Sequence, residues 1–113
     1  MKEGSLLVQF LGESPTVKII DFLIGNKGID YSKKDVIEGS GVSRASLFKN
    51  WNRIERFGIV RVTRSFGKTK LYTLNTESET VQKLLQLEAN LIKQAMDDVY
   101  QSSAESKPVL IPA

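Results

Sequence analysis

The 113-residue chain has no cysteine and no histidine. Without cysteine there are no disulfides and no thiol nucleophile, and without either residue there is no zinc site of the usual kind. The commonest general base is missing too, so catalysis would have to rest on Asp, Glu, Lys, Tyr or Ser. No Gly-rich phosphate loop and no spaced acid pair makes up for this. Asp97 and Asp98 are adjacent and diverge on a helix. No enzyme activity and no cofactor are expected. Long apolar runs are also absent: nothing approaches the roughly 18–20 residues of a membrane helix. Leu6–Leu11 is too short for a secretory signal, and no small-residue cleavage pattern follows it. The expected location is the cytoplasm, with no membrane partner.

Charge is present and unevenly placed. Between Arg44 and Lys70 there are eight basic residues (Arg44, Lys49, Arg53, Arg56, Arg61, Arg64, Lys68 and Lys70) and one acid, Glu55. That stretch carries +7 in a chain of +3, so the remainder sums to −4. Cations gathered on one short unit mark a polyanion binder. The rest of the composition, 41% apolar and 26% charged, fits a single globular domain.

Helix signals divide the chain. Residues 1–13 read as an apolar-centred arm. Ser14 as N-cap and Pro15 as first helical residue start a helix that runs to about Gly25. Val17, Ile20, Leu23 and Ile24 form one apolar stripe on it, and Ile19 and Phe22 a second. Such a helix needs cover on two sides: the domain on one, and on the other the arm, the last helix or a partner subunit. Ser32, with Asp35 three residues on, caps a second helix that ends near Gly39. Ser43 caps a third, from Arg44 to about Phe57, which Gly58 stops. Ile59–Arg64 and Lys70–Asn75 pair as a hairpin around Ser65–Thr69. Val60, Val62, Tyr72 and Leu74 then share one face, Arg61, Thr63 and Thr73 take the other, and Leu71 is the exception on the polar side. A last helix from about Thr76 runs to Tyr100 or beyond, and residues 102–113 read as a frayed tail.

In the middle of this pattern, two helices flank a turn centred on Gly41, with Val42 and Leu47 turned inward and Val36, Ile37, Trp51 and Ile54 lining the core. A basic hairpin follows at once. The stretch GVSRASLFKNWNRIERFGIVRVTRSFGKTKLYTLN resembles the recognition helix and wing of winged helix-turn-helix regulators of the MarR-like and ArsR-like kind. The opening LVQFLGESPTVKIIDFLIGNKGIDYSKKDV resembles small archaeal members, some from plasmids and viruses. One departure is Ile37, where many members carry a small residue. Metal sensing of the ArsR-like kind needs Cys or His ligands, which this chain lacks. The expected fold is α+β, mostly α: a winged helix-turn-helix over 14–75, with a three-helix core and a β-hairpin wing, then a long dimerisation helix over 76–101.

Within that frame, Arg44, Ala45, Ser46, Lys49, Asn50 and Arg53 are the recognition-helix candidates. Arg and Asn make paired hydrogen bonds to guanine and adenine edges, which puts Arg44 and Asn50 first for base contact. Arg44 gripping phosphate instead is the bland alternative. Arg53 and Arg56 suit phosphate or the helix C-terminal dipole. Ser32, Lys33 and Lys34, at a helix start, suit a phosphate. The wing candidates are Arg64, Ser65, Phe66, Gly67, Lys68 and Lys70, with Arg64 or Lys68 entering a minor groove. Phe66 packs back on the hairpin, touches sugars or wedges between bases. The last helix carries more apolar stripe than the domain can cover, so Ile19, Phe22, Leu84, Leu91, Ile92, Ala95 and Val99 are expected to meet a second copy. Glu88, at the stripe's centre, is either solvated or a register-setting polar residue.

The expected function is a homodimeric, sequence-specific regulator on palindromic double-stranded DNA, associated with the nucleoid. An alternative is a partition (centromere-binding) or nucleoid-organising protein that spreads on DNA, with a partition or other protein as its partner. An alternative of another class is a winged helix for protein or RNA contact, against which the +7 unit argues.

Overall fold

The structure is a computed structural model and describes residues 5–105. The elements are α1 (Leu6–Leu11), α2 (Pro15–Gly25), α3 (Lys33–Ser40), α4 (Arg44–Arg56), β1 (Val60–Phe66), β2 (Thr69–Leu74) and α5 (Glu79–Glu105). Three of the helix starts follow local chemistry. The Ser14 hydroxyl accepts from the Val17 N–H, Ser32 and Asp35 complete a reciprocal capping box, and the Ser43 hydroxyl accepts from the Ser46 N–H. Gly41 takes the left-handed conformation that closes α3 and sets up the turn into α4. The result is a winged-helix fold: α2, α3 and α4 around a core, with a two-stranded antiparallel wing.

The expected arm is in part a helix. Ser5 caps α1, accepting from the Val8 N–H, and its hydroxyl donates to Asp21 on α2. Leu7 enters the core, and α1 packs on both α2 and α5. This helix supplies the second cover that α2 needs. Ile19 lies on the other side of α2, between Thr16, which bonds Asn50 of α4, and Phe22, whose ring lies over Gly39 of α3. It is 0% exposed inside the protomer and offers nothing to a partner, which corrects its placement in a dimer interface. Phe22 is half-buried, edge-on to Tyr31 with ring centroids 5.0 Å apart, and its ring lies over Gly39. A Cβ at position 39 would overlap that ring. Gly39→Ala should therefore destabilise the protein by about 1–3 kcal/mol, the usual cost of overpacking, read as a shift in the urea midpoint at unchanged slope.

The hairpin begins in the expected register, Val60 opposite Leu74 and Val62 opposite Tyr72. A bulge then intervenes, and Arg64 pairs with Leu71, Ser65 with Lys70 and Phe66 with Thr69. Val60, Tyr72 and Leu74 reach the core, but Val62 is 45% exposed because the wing has already left the domain there. Thr73, expected on the polar face, is buried, and its hydroxyl donates to the Ile29 carbonyl. Tyr31 and Tyr72 exchange backbone hydrogen bonds, tying the segment before α3 to β2.

α5 starts three residues later than expected, where the Ser78 hydroxyl accepts from the Val81 N–H, and continues to Glu105. The expected tail over 102–105 is thus helical backbone, and residues 106–113 lie outside the described residues, as do residues 1–4 of the arm. Val81 is buried, and Leu84, Leu85, Leu87 and Leu91 pack partly against the core. Beyond Leu91 the helix projects from the domain, with Ile92, Met96, Val99 and Tyr100 exposed and Ala95 half-exposed. Glu88 is half-buried. The molecule measures 66 × 29 × 20 Å.

Candidate nucleic-acid interface

α4 divides into faces set by its turn of about 100° per residue. Leu47, Trp51 and Ile54 anchor it in the core. The opposite line, Ala45, Lys49, Asn52 and Arg56, is exposed. Arg44 and Phe48 flank it toward the wing. Ser46, Asn50 and Arg53 flank it toward α2. There the Asn50 Nδ2 donates to the Ser46 carbonyl at 2.7 Å, and its Oδ1 accepts from Thr16 at 3.3 Å and from Arg53 at 3.2 Å. Arg53 donates a further bond to the Thr16 hydroxyl. Asn50 therefore bridges α4 and α2 here, and the base contact expected of it from the sequence requires these bonds to break. Asn52 was missed. Its signal was available: it lies opposite the Leu47, Trp51 and Ile54 stripe at helical spacing.

Between the start of α3, α4 and the wing lies an open cleft of about 560 Å³, lined by Ser32, Lys33, Lys34, Arg44, Phe48, Lys68, Thr69, Lys70 and Tyr72. Five cations line it, and the neighbouring acids are each engaged at its edge, Asp35 by the Ser32 N–H and Glu55 beside the Tyr72 phenol. The free backbone N–H groups at the start of α3 add to its attraction for an anion. Lys33 sits over three rings, with its Nζ 5.4 Å from the Phe48 centroid and 5.8 Å from those of Trp51 and Tyr72. Arg44 lies 5.1 Å from the Phe48 centroid on its other approach. Phe48 thus holds two cations at the cleft wall. Tyr72, edge-on to Trp51 at 5.0 Å, has its phenol pushed above its ordinary value, first by burial and then by the Glu55 carboxylate. It remains a neutral floor to the cleft.

The bulge decides which wing residues share this cleft. Alternation from the Val62–Tyr72 pair puts Ser65 and Lys70 on the cleft side, and Arg64 and Phe66 on the outer side. On that outer side Arg64 forks onto Asp30, with Nε to Oδ2 at 3.2 Å and Nη2 to Oδ1 at 3.3 Å. Thr63, the bulged residue, donates to the same carboxylate at 2.6 Å. Phe66 is 57% exposed and packs with Arg64, whose guanidinium lies 5.6 Å from its ring. Arg64 thus engages Asp30 while its side chain stays 59% exposed, and entry into a groove, expected of it from the sequence, requires that exposed fork to open. Gly67, at φ +58, opens the two-residue turn that presents Lys68.

The Asp30 carboxyl is held below its ordinary 3.8, chiefly by the Thr63 hydroxyl and then by Arg64. A depressed value means the clip stabilises fully above about pH 3.8, and that this is lost as pH falls through the lowered value. An NMR titration should find Asp30 ionising below 3.8. Asp30→Asn should loosen the wing in hydrogen exchange while leaving the α2 core protected.

Among the described residues no helix is long and apolar enough to cross a membrane. No protein-family model matches the chain, and no curated protein does. Among solved structures it is similar to Sso10a-2, described as a DNA-binding protein from Sulfolobus solfataricus, with a TM-score of 0.50 and 17% identity over 85% of this chain and 96% of that one. At that identity the likeness speaks for the fold.

Proposed function

We propose that this chain binds double-stranded DNA as a homodimer and acts as a sequence-specific transcription regulator. α4 lies in a major groove, and the cleft side of the wing follows the adjoining backbone. The observation that carries this is the cleft lined by five cations beside the exposed face of α4. The DNA-binding description of the structural neighbour supports the same reading. The finer likeness to MarR-like regulators rests on the sequence alone. No catalytic step is assigned to the chain.

Dimerisation is assigned to the projecting part of α5. Leu84 and Leu91 spend part of their surface on the protomer's own core, so Ile92, Ala95 and Val99 carry the contact, joined by Met96. A two-fold dimer reads a palindrome. The salt dependence of duplex binding tests the assignment. Four or five phosphates per subunit correspond to a log–log slope on the order of −7 to −9 for the dimer. A slope near zero sinks it, and equal competition by folded RNA shifts it to the RNA-binding class.

A second reading keeps the DNA and changes the role, to a partition or nucleoid-organising protein. The 66 Å length favours it, because copies joined through the free end of α5 hold their winged units well apart. A footprint that spreads past one palindrome selects this reading.

A further inference from the structure

We propose that base identity is read by one line of α4, Ala45, Lys49 and Asn52, and that Asn50 takes no part in reading. This rests on the duplex-binding reading above. A helix lying in a major groove turns its outermost line to the base edges and its two flanks toward the backbones. In α4 the outermost line is fixed by the buried Leu47, Trp51 and Ile54 opposite it. Ala45, Lys49 and Asn52 stand on that line and are exposed.

Their chemistry is complementary to three different edges. The Ala45 methyl fits a thymine methyl, the Lys49 ammonium fits guanine O6 and N7, and the Asn52 carboxamide pairs with adenine N6 and N7. From Ala45 to Asn52 the helix rises about 10 Å, which matches about three base-pair steps of 3.4 Å. The three contacts therefore fall within about four successive base pairs. Among the described residues neither Lys49 nor Asn52 has a hydrogen bond or ion pair to give up. Asn50 has three, to Ser46, Thr16 and Arg53, and all would break if it turned to the groove. Arg56, one turn past Asn52 on the same line, falls where the helix leaves the groove and meets phosphate.

Selection of bound duplexes from a random pool by the full chain tests this, run beside Lys49→Ala, Asn52→Ala and Asn50→Ala. The unaltered chain should select a guanine and an adenine within four base pairs of each other. Asn52→Ala should lose the adenine preference and Lys49→Ala the guanine preference, each by about 5- to 100-fold in relative binding, with the other positions kept. Asn50→Ala should select the original sequence and melt at a lower temperature. The assignment falls, with duplex binding intact, if Lys49→Ala or Asn52→Ala selects the original sequence, if Asn50→Ala loses a base preference, or if the unaltered chain shows no preference. A chain that binds no duplex overturns both this assignment and the reading beneath it.

Discussion

Reversing the charge at both Arg44 and Lys68 is expected to weaken duplex binding at least about 100-fold at moderate salt. The estimate takes two charge-assisted contacts to phosphate at about 1.5–3 kcal/mol each, and each introduced carboxylate adds repulsion to the loss. Arg44 and Lys68 stand on opposite walls of the same cleft, one on α4 and the other at the tip of the wing. A backbone lying between them feels both. The two side chains are exposed, so Arg44→Glu with Lys68→Glu should leave the melting temperature nearly unchanged. Lys27→Glu with Arg61→Glu is the matched control. Those residues line a separate depression beside Asp30, on the outer side of the wing. Equal reversal there should cost only the long-range part of the attraction, which salt screens within about 10 Å at 0.1 M. Fluorescence anisotropy on one duplex, for both pairs, separates a docking surface from net charge. Equal losses for the two pairs would leave only non-specific attraction.

The contrast between the two sides of the wing shows what the sequence contained and what it did not. The starts of α2, α3 and α4 and the ends of α3 and α4 were legible because their causes lie within a few residues: a serine hydroxyl and the N–H three residues on, or a glycine free to adopt positive φ at 41 and 58. Ser5 and Ser78 cap α1 and α5 in the same way, but those starts did not stand out. The first hairpin pairs were legible too, since alternation of Val60, Val62, Tyr72 and Leu74 permits one register. The bulge at Thr63 was not. It comes with Asp30, over thirty residues earlier, which takes hydrogen bonds from Thr63 and Arg64 at once. No local pattern encodes that meeting, and it carries Arg64 and Phe66 to the far side of the wing. The bonds of Asn50 were illegible for the same reason, because its partner Thr16 sits on another helix. Ile19 looked like spare apolar surface because the sequence does not say which side of α2 meets α3 and α4; in the fold it faces them and is buried. Lys33, Lys34, Arg44, Lys68 and Lys70 were each legible as candidates. Their convergence on one cleft needed the fold.

The projecting half of α5 carries the other large effect. Ile92→Asp with Val99→Asp is expected to weaken self-association at least about 1,000-fold and to leave the winged unit folded. In the single protomer these side chains are 44% and 68% exposed, so their replacement removes little of its own core. A partner helix laid on this face would bury both, at roughly 1.5–3 kcal/mol for each fully buried side chain, and two-fold symmetry counts every one twice. Across a two-fold contact the added carboxylates of one copy meet those of the other, so like charge adds to the lost burial. Sedimentation equilibrium at micromolar concentration should show a dimer for the unaltered chain and a monomer for the double variant. Duplex binding reads the same change independently. A palindrome held by two joined copies gains from effective concentration, and the variant forfeits that gain while each α4 keeps its contacts. Binding to a single half-site should therefore match the unaltered chain, and binding to the whole palindrome should fall toward it. If the unaltered chain sediments as a monomer, α5 has some other partner and the palindrome loses its physical basis.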